Sequence, residues 1–123
     1  MRTANNLAMT YQFQGRSAQA EPLLREAVPL FERDAPDRWE RFLCQSLLGA
    51  AMAGEKKYAG AEPLLLAGYQ GMLERKTRIP ALEWSSLRWA GESVVELYRA
   101  WGKPGKAAEW RQKIAAAPAQ PRP

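Results

Sequence analysis

The chain is 123 residues long, is 46% hydrophobic and carries a formal net charge of +5, which fits one domain with room for about three helical hairpins. It has no histidine and a single cysteine, so the commonest general base is absent, and neither an intrachain disulfide nor a thiolate zinc site can form. The single cysteine, the lack of a signal-like segment and apolar runs of only a few residues predict a cytoplasmic protein that does not span a membrane.

Glycine, proline and charged stretches divide the chain into six predicted helices. These run, in chain order, over about residues 3–14, 17–33, 38–53, 58–78, 81–101 and 105–116. No segment alternates with period two, so no strand is expected. Pairing the helices gives an all-α array over residues 1–116, with hairpins at about 3–33, 38–78 and 80–116. The proline-rich residues 117–123 are expected to form a disordered tail.

An internal repeat links the first two hairpins. Residues 20–24, Ala-Glu-Pro-Leu-Leu, return unchanged as residues 61–65, which lie 41 positions later. At the same offset Phe31 corresponds to Met72, and elsewhere large apolar positions stay large and small ones stay small. A repeat of this length is typical of stacked helical arrays, which bind other molecules across an extended face more often than they catalyse reactions.

Side-chain spacing predicts which faces are buried. In the fifth helix an apolar stripe advances by three and four residues, through Trp84, Leu87, Gly91, Val94, Tyr98 and Trp101. Cys44 lies in an apolar stretch, so we expect a small buried side chain and not a reactive thiol. The fourth helix carries Gly60, Gly68 and Gly71, each of which costs up to about 1 kcal/mol relative to alanine. Its hairpin should therefore be the softest, unless the glycines permit tight packing.

The whole positive excess lies in residues 99–123, where six Lys and Arg residues face Glu109 alone. One interpretation is a solvated terminal helix whose cations oppose the negative end of the helix dipole. The other is a docking patch for an acidic peptide, a phosphate-rich or other acidic polymer, or an anionic surface. No aromatic-interleaved basic motif or glycine-rich phosphate loop accompanies the charge, so nucleic acid is an unlikely partner.

Two copies of one pattern carry a family resemblance. The first reads Leu7-Ala8-x-x-Tyr11-x-x-x-Gly15-x-x-x-x-Ala20-x-x-x-Leu24-x-x-Ala27, and the second has Leu48-Gly49-x-x-Met52, then Tyr58, Ala61, Leu65 and Gly68. A weaker third copy reads Val94-Val95-x-x-Tyr98-x-x-x-Gly102-x-x-x-x-Ala107, with Arg111 where a leucine is expected. Together they resemble the tetratricopeptide repeat over about residues 3–114, although Lys56 replaces the turn glycine.

Finer features resemble particular branches of that family. The repeat length of 41 and the opening Asn5-Asn6-Leu7-Ala8 are similar to the long repeats of kinesin light chains and of many bacterial proteins. Residues 98–111 look like the closing repeat of arrays attached to some bacterial serine/threonine kinases. The first helix would normally stack on a preceding hairpin, so we expect the C-terminal end of a longer array or a short derivative of one. Self-association through this helix is also possible.

The resemblance implies a right-handed α-α superhelix, a solenoid of about three antiparallel hairpins whose first helices line a concave groove. The residues opposite the core stripe then become candidates for binding a protein partner: Asn5, Met9, Gln12, Ser46, Trp89, Glu92, Glu96 and Arg99, together with Leu43, Ala50 and Ala53. Alternatively, Glu92, Glu96 and Arg99 form ion pairs on a solvated helix face. Trp89 either packs on the next helix or anchors a partner.

The leading hypothesis is a non-enzymatic protein–protein interaction module that binds a peptide or helix in the groove, with no catalytic residues, cofactor or metal. One alternative is a structural capping fragment of a larger scaffold, such as a kinase tail, without a ligand of its own. A less favoured one is a binder of acidic polymers or surfaces through the basic C-terminal end. A basic clamp for a peptide's terminal carboxylate is not reproduced, because the middle helix offers Ser46 and Ala50 there.

Overall fold

The computed structural model describes residues 2–116, with side chains from residue 5 onward. Within that range it contains six α-helices, two short 3₁₀ turns and no β-strand. The helices are α1 (Arg2–Phe13), α2 (Ser17–Asp34), α3 (Trp39–Gly54), α4 (Tyr58–Glu74), α5 (Trp84–Ala100) and α6 (Pro104–Ala116). The all-α prediction is confirmed, whereas the expected disordered tail at residues 117–123 lies outside the described residues.

The link between α4 and α5 differs in detail from the prediction. Helix α4 ends at Glu74, earlier than the predicted end at about residue 78. The 3₁₀ turns Lys76–Arg78 and Ala81–Glu83 lie on either side of the break predicted at Ile79 and Pro80. Ile79 is extended, with φ −82° and ψ 122°, because the ring of Pro80 disfavours helical geometry at the residue before it. The boundary itself was therefore placed correctly.

Consecutive helices pack as the hairpins α1–α2, α3–α4 and α5–α6, and the first helices of the hairpins also contact one another. The middle helix α3 contacts α1, α2, α4 and α5. Residues 42–49 of α3 are consequently all buried, without the usual alternation of buried and exposed faces. No helix within residues 2–116 is both long enough and apolar enough to cross a membrane.

Glycines allow α3 and α4 to approach closely. A Cβ atom built at Gly68 would lie 2.8 Å from the carbonyl oxygen of Phe42 and 2.9 Å from the backbone nitrogen of Ser46. At Gly71 a Cβ would lie 2.0 Å from the Cδ1 atom of the Phe42 ring. Gly68 and Gly71 therefore permit tight packing of α4 on α3, which was the stated exception to the prediction that this hairpin is the softest.

Each hairpin makes the same turn between its two helices. Gly15, Lys56 and Gly102 follow the first helices and share a left-handed backbone, with φ values of 73°, 65° and 77°. Glycine adopts this conformation without strain, whereas a side chain brings Cβ close to the following carbonyl oxygen. The equivalent backbone at the three positions shows that the third, weaker copy of the repeat folds like the first two at this turn.

The predicted buried positions agree closely with the structure. The stripe on α5 is buried from Trp84 to Tyr98, and Trp101 is half-buried, where its ring stacks on Tyr58 with the centroids 5.9 Å apart. Cys44 is fully buried as predicted, and its burial raises the pKa of the thiol to about 12.

The repeated Ala-Glu-Pro-Leu-Leu segment connects each hairpin to the next. Glu21 of α2 accepts a hydrogen bond from Nζ of Lys57, at 3.0 Å, in the turn of the second hairpin. Glu62, the equivalent residue of α4, accepts one from the Tyr98 hydroxyl of the third hairpin at 2.7 Å. The glutamate thus has the same role in both copies, although its partners differ.

Candidate functional site

A cleft with a volume of about 430 Å³ opens where α1, α3 and α5 come together; we call it the first-helix cleft. Because α3 lies between the other two helices, its small residues Ala50, Ala53 and Gly54 form the centre. Phe13 at the end of α1 and Trp89 of α5 contribute aromatic surface on either side. The cleft is therefore a surface shared by all three hairpins, with somewhat more apolar than polar area.

A few polar groups also line the first-helix cleft. Gln12, Lys56, Ser93 and Glu96 contribute to it. The Ser93 hydroxyl donates to the carbonyl oxygen of Trp89 at 2.8 Å, which satisfies its donor. By contrast, the Oε1 atom of Gln12 is buried and has no hydrogen-bond partner among the described residues.

The structure brings together some of the predicted site residues and separates others. Gln12, Trp89 and Glu96 line the first-helix cleft, as do Ala50 and Ala53. Trp89 is half-buried and packs against the core, while its role as an anchor for a partner stays a prediction. In contrast, Met9 is half-buried against the core, and Leu43 is buried in α3.

Asn5 and Ser46 do not line an open groove, and their assignment to it was wrong. Asn5 is 4% exposed because it lies between α1 and α3, where its Nδ2 donates to the carbonyl oxygen of Glu40 at 3.4 Å. Ser46 is fully buried because its side chain points at Gly68 of α4. Both side chains are covered by neighbouring helices and cannot meet a ligand.

Glu92 and Arg99 line a second cleft, of about 350 Å³, between the outer sides of α5 and α6; we call it the end cleft. Glu96 borders both clefts. The predicted ion pair is present, since Nε of Arg99 donates to Glu96 Oε2 at 2.8 Å. This hydrogen bond lowers the pKa of Glu96 and raises that of Arg99. The end cleft also includes Arg111, at the repeat position held by a buried leucine in α2 and α4.

Residues 1–33, which comprise α1 and most of α2, match the family model described as tetratricopeptide repeat. This match, together with the paired helices of the fold, supports an assignment to the tetratricopeptide repeat family. No curated protein and no solved structure matches it significantly. The finer resemblances to kinesin light chains and to kinase-attached arrays stay predictions.

Seven residues of the first-helix cleft were missed from the sequence: Phe13, Gly54, Lys56, Tyr58, Ser93, Leu97 and Ala100. Phe13 is 71% exposed, and a large aromatic residue at the polar end of a predicted helix is a signal that was available. Lys56 was noted only for replacing the turn glycine of the tetratricopeptide pattern. The position of Tyr58 depends on how α4 meets α5, which the repeat pattern does not specify.

The cations near the C-terminal end mostly have partners within the array. Lys103 lies over the Trp101 ring, with Nζ 3.8 Å from the centroid. Lys113 pairs with Glu109 at 3.1 Å, on the last helix of the repeat array. Such contacts favour a structural role for this charge, in which lysines stabilise the terminal hairpin by covering aromatic rings and pairing along the helix.

Proposed function

We propose that this tetratricopeptide repeat protein is a non-enzymatic interaction module of the cytoplasm that binds a peptide or helix of a protein partner in the first-helix cleft. Tetratricopeptide repeats are generally interaction folds, and the cleft adds a specific location. The observation that carries the proposal is the placement of Ala50 and Ala53 between exposed Phe13 and half-buried Trp89.

The small and the aromatic residues of the lining would act on a ligand in different ways. Methyl side chains at Ala50 and Ala53 leave space above α3, so a partner's side chain or backbone can approach the helix. The aromatic rings beside them remove apolar ligand surface from water, which is the main favourable term in association. A single cleft of this size supports an affinity on the order of micromolar.

Self-association through α1 has weaker support. Leu7 is 40% exposed on α1, but it has the exposed residues Asn6 and Thr10 beside it. The equivalent positions of α3 are Leu47 and Ala51, which are buried. From Asn5 onward, the outer side of α1 therefore offers little continuous apolar surface to a second copy or to another hairpin.

A capping role for the third hairpin is the second candidate. Glu92, Arg99 and Arg111 place charges in the end cleft. The equivalent residues of the first two hairpins are uncharged: Asn5 and Ser46 correspond to Glu92, Gln12 and Ala53 correspond to Arg99, and leucines correspond to Arg111. A charged outer face is typical of terminal capping repeats. This role is compatible with ligand binding, but a chain that serves only as a cap has no cleft-dependent ligand.

Selection from a random-peptide phage library tests the proposal. The blocking variant is Ala53→Arg, which places a long side chain in the centre of the cleft. The repeat tolerates such a residue, because the equivalent positions hold Gln12 and Arg99. The control is Ala67→Arg, at an exposed position of α4.

Peptides selected on the native protein should bind the control equally and the blocked variant at least about tenfold more weakly, since an arginine there excludes the ligand from the cleft. Circular dichroism should confirm that both variants fold. If no selected peptide distinguishes the blocked variant from the control, the cleft is not a binding site and the purely structural role is favoured.

A further inference from the structure

One residue of the first-helix cleft keeps an unfavourable backbone conformation. The three equivalent turns contain Gly15, Lys56 and Gly102, all with positive φ. Lysine in left-handed geometry costs roughly 1–2 kcal/mol per residue relative to right-handed geometry, a cost that glycine avoids. A strained side chain at one of three equivalent turns suggests that this side chain itself has a function.

The surroundings of Lys56 indicate what its side chain contributes. Lys56 lines the first-helix cleft, whereas the other two turns have no side chain at this position. The neighbouring Lys57 is engaged by Glu21 at 3.0 Å, and Glu96 of the cleft is engaged by Arg99. Among residues 2–116 the structure records no ion pair for Lys56 itself. Its ammonium is therefore the uncompensated charge of the cleft.

We propose that Lys56 determines specificity by pairing with a carboxylate of an acidic peptide, whose adjacent large apolar side chain occupies the space over Ala50 and Ala53 between Phe13 and Trp89. This inference rests on the proposed function of the cleft. The charge complementarity is that of one carboxylate and not of a polyanion, because Lys56 is the one cation among the described residues that line the cleft. A nucleic acid or an anionic membrane therefore fits less well.

The experiment repeats the phage selection on the native protein, on Lys56→Gly and on Lys56→Glu. Native selections should be enriched in peptides with Asp or Glu beside a large apolar residue. The Lys56→Glu selections should shift towards Lys and Arg. One selected acidic peptide is then synthesised together with its amide counterpart, in which the acidic residue is replaced by Asn or Gln, and both are titrated against each protein by fluorescence anisotropy.

An exposed ion pair contributes modestly, so the acidic peptide should bind Lys56→Gly about two- to fivefold more weakly than the native protein. The amide peptide should bind both proteins with that same reduced affinity, because the pair is already lost. Urea unfolding supplies an independent control: Lys56→Gly should be at least as stable as the native protein, since glycine relieves the strained φ. Weaker binding by a more stable variant is not explained by damage to the fold.

Two results would overturn the inference while leaving the proposed function intact. These are peptides that require the open cleft but show no acidic bias, and an acidic peptide that binds Lys56→Gly as tightly as the native protein. A failure of the proposed function looks different, because then no peptide distinguishes Ala53→Arg from Ala67→Arg. That result would remove the inference as well.

Discussion

Replacing Gly68 with alanine tests the close packing on which the middle hairpin depends. A Cβ at this position would lie 2.1 Å from the Ser46 hydroxyl oxygen, 2.8 Å from the Phe42 carbonyl oxygen and 2.9 Å from the Ser46 backbone nitrogen. The hydroxyl can rotate away, but the two backbone atoms belong to α3 and cannot. The added methyl group therefore has to push α3 and α4 apart.

The size of the effect follows from these distances. Restoring ordinary contact requires the helices to separate by roughly half an ångström, a gap that forfeits about a quarter of the dispersion energy of the atoms that lose contact. Overpacking of this kind typically costs about 1–3 kcal/mol, whereas alanine in place of glycine adds up to about 1 kcal/mol of helix propensity. Because backbone atoms are involved, we expect a net loss of about 2 kcal/mol.

Urea unfolding measures this loss, followed by circular dichroism and by tryptophan fluorescence, since repeat arrays need not unfold in one step. A loss of about 2 kcal/mol lowers the midpoint by about 1 M urea. The matched control is Gly60→Ala in the same helix, where the new Cβ would meet only the flexible end of Met52, its Cε atom, at 2.6 Å. This control should be as stable as the native protein or more stable, by up to about 1 kcal/mol.

Unfolding of Gly68→Ala at the native midpoint or above it would contradict this role of Gly68. An equal loss of stability in Gly60→Ala would contradict it as well, since the cost would then belong to the helix and not to the close contact between α3 and α4.

Three further predictions concern single contacts. Glu62 and Tyr98 share a 2.7 Å hydrogen bond, so a double-mutant cycle with Glu62→Gln and Tyr98→Phe should give a coupling free energy of about 1–2 kcal/mol in urea unfolding. A coupling of zero would show that this hydrogen bond does not stabilise the array. A hydrogen bond with Glu21 raises the pKa of Glu55 above its usual 4.5, so the ionised form is disfavoured in the fold. Glu55→Gln should therefore raise the urea midpoint at pH 7, and this gain should decline as the pH falls through the raised pKa and be absent below about pH 4.5. A gain that is independent of pH would contradict this cause. Cys44, with its pKa raised to about 12, should react with a disulfide reagent only after urea unfolds the chain, and rapid labelling of the folded protein would contradict its burial.

Local features of the sequence were sufficient to predict the helices, their pairing and several details of the turns. Gly15 and Gly102 adopt the left-handed backbone that glycine favours. Pro80 marks a real helix boundary, because its ring restricts Ile79 directly. The apolar residues of the stripe that begins at Trp84 recur with the 3.6-residue period of a helix, so they share one face, and that face is buried. Each of these depends on interactions within a few residues, so sequence reasoning identifies them.

The candidate site could be predicted only in part. Gln12, Trp89 and Glu96 were found from their helix faces and do line the first-helix cleft. Ser46 was placed there by the same argument and proved to be buried against Gly68. Asn5 was misplaced for a related reason, since α3 covers it. Helical periodicity identifies a face, but it does not say which neighbouring helix covers that face.

By itself, then, the sequence determined a repeated helical hairpin, its turns and its apolar stripes, because these follow from backbone geometry and from spacing along one helix. The tertiary structure alone decided which polar positions remain accessible. Equivalent positions hold Asn5, Ser46 and Glu92, yet the first two are buried and the third is exposed. The physical reason is that burial depends on the packing of neighbouring helices: α3 is enclosed by four of them, whereas α5 turns this side towards the end cleft.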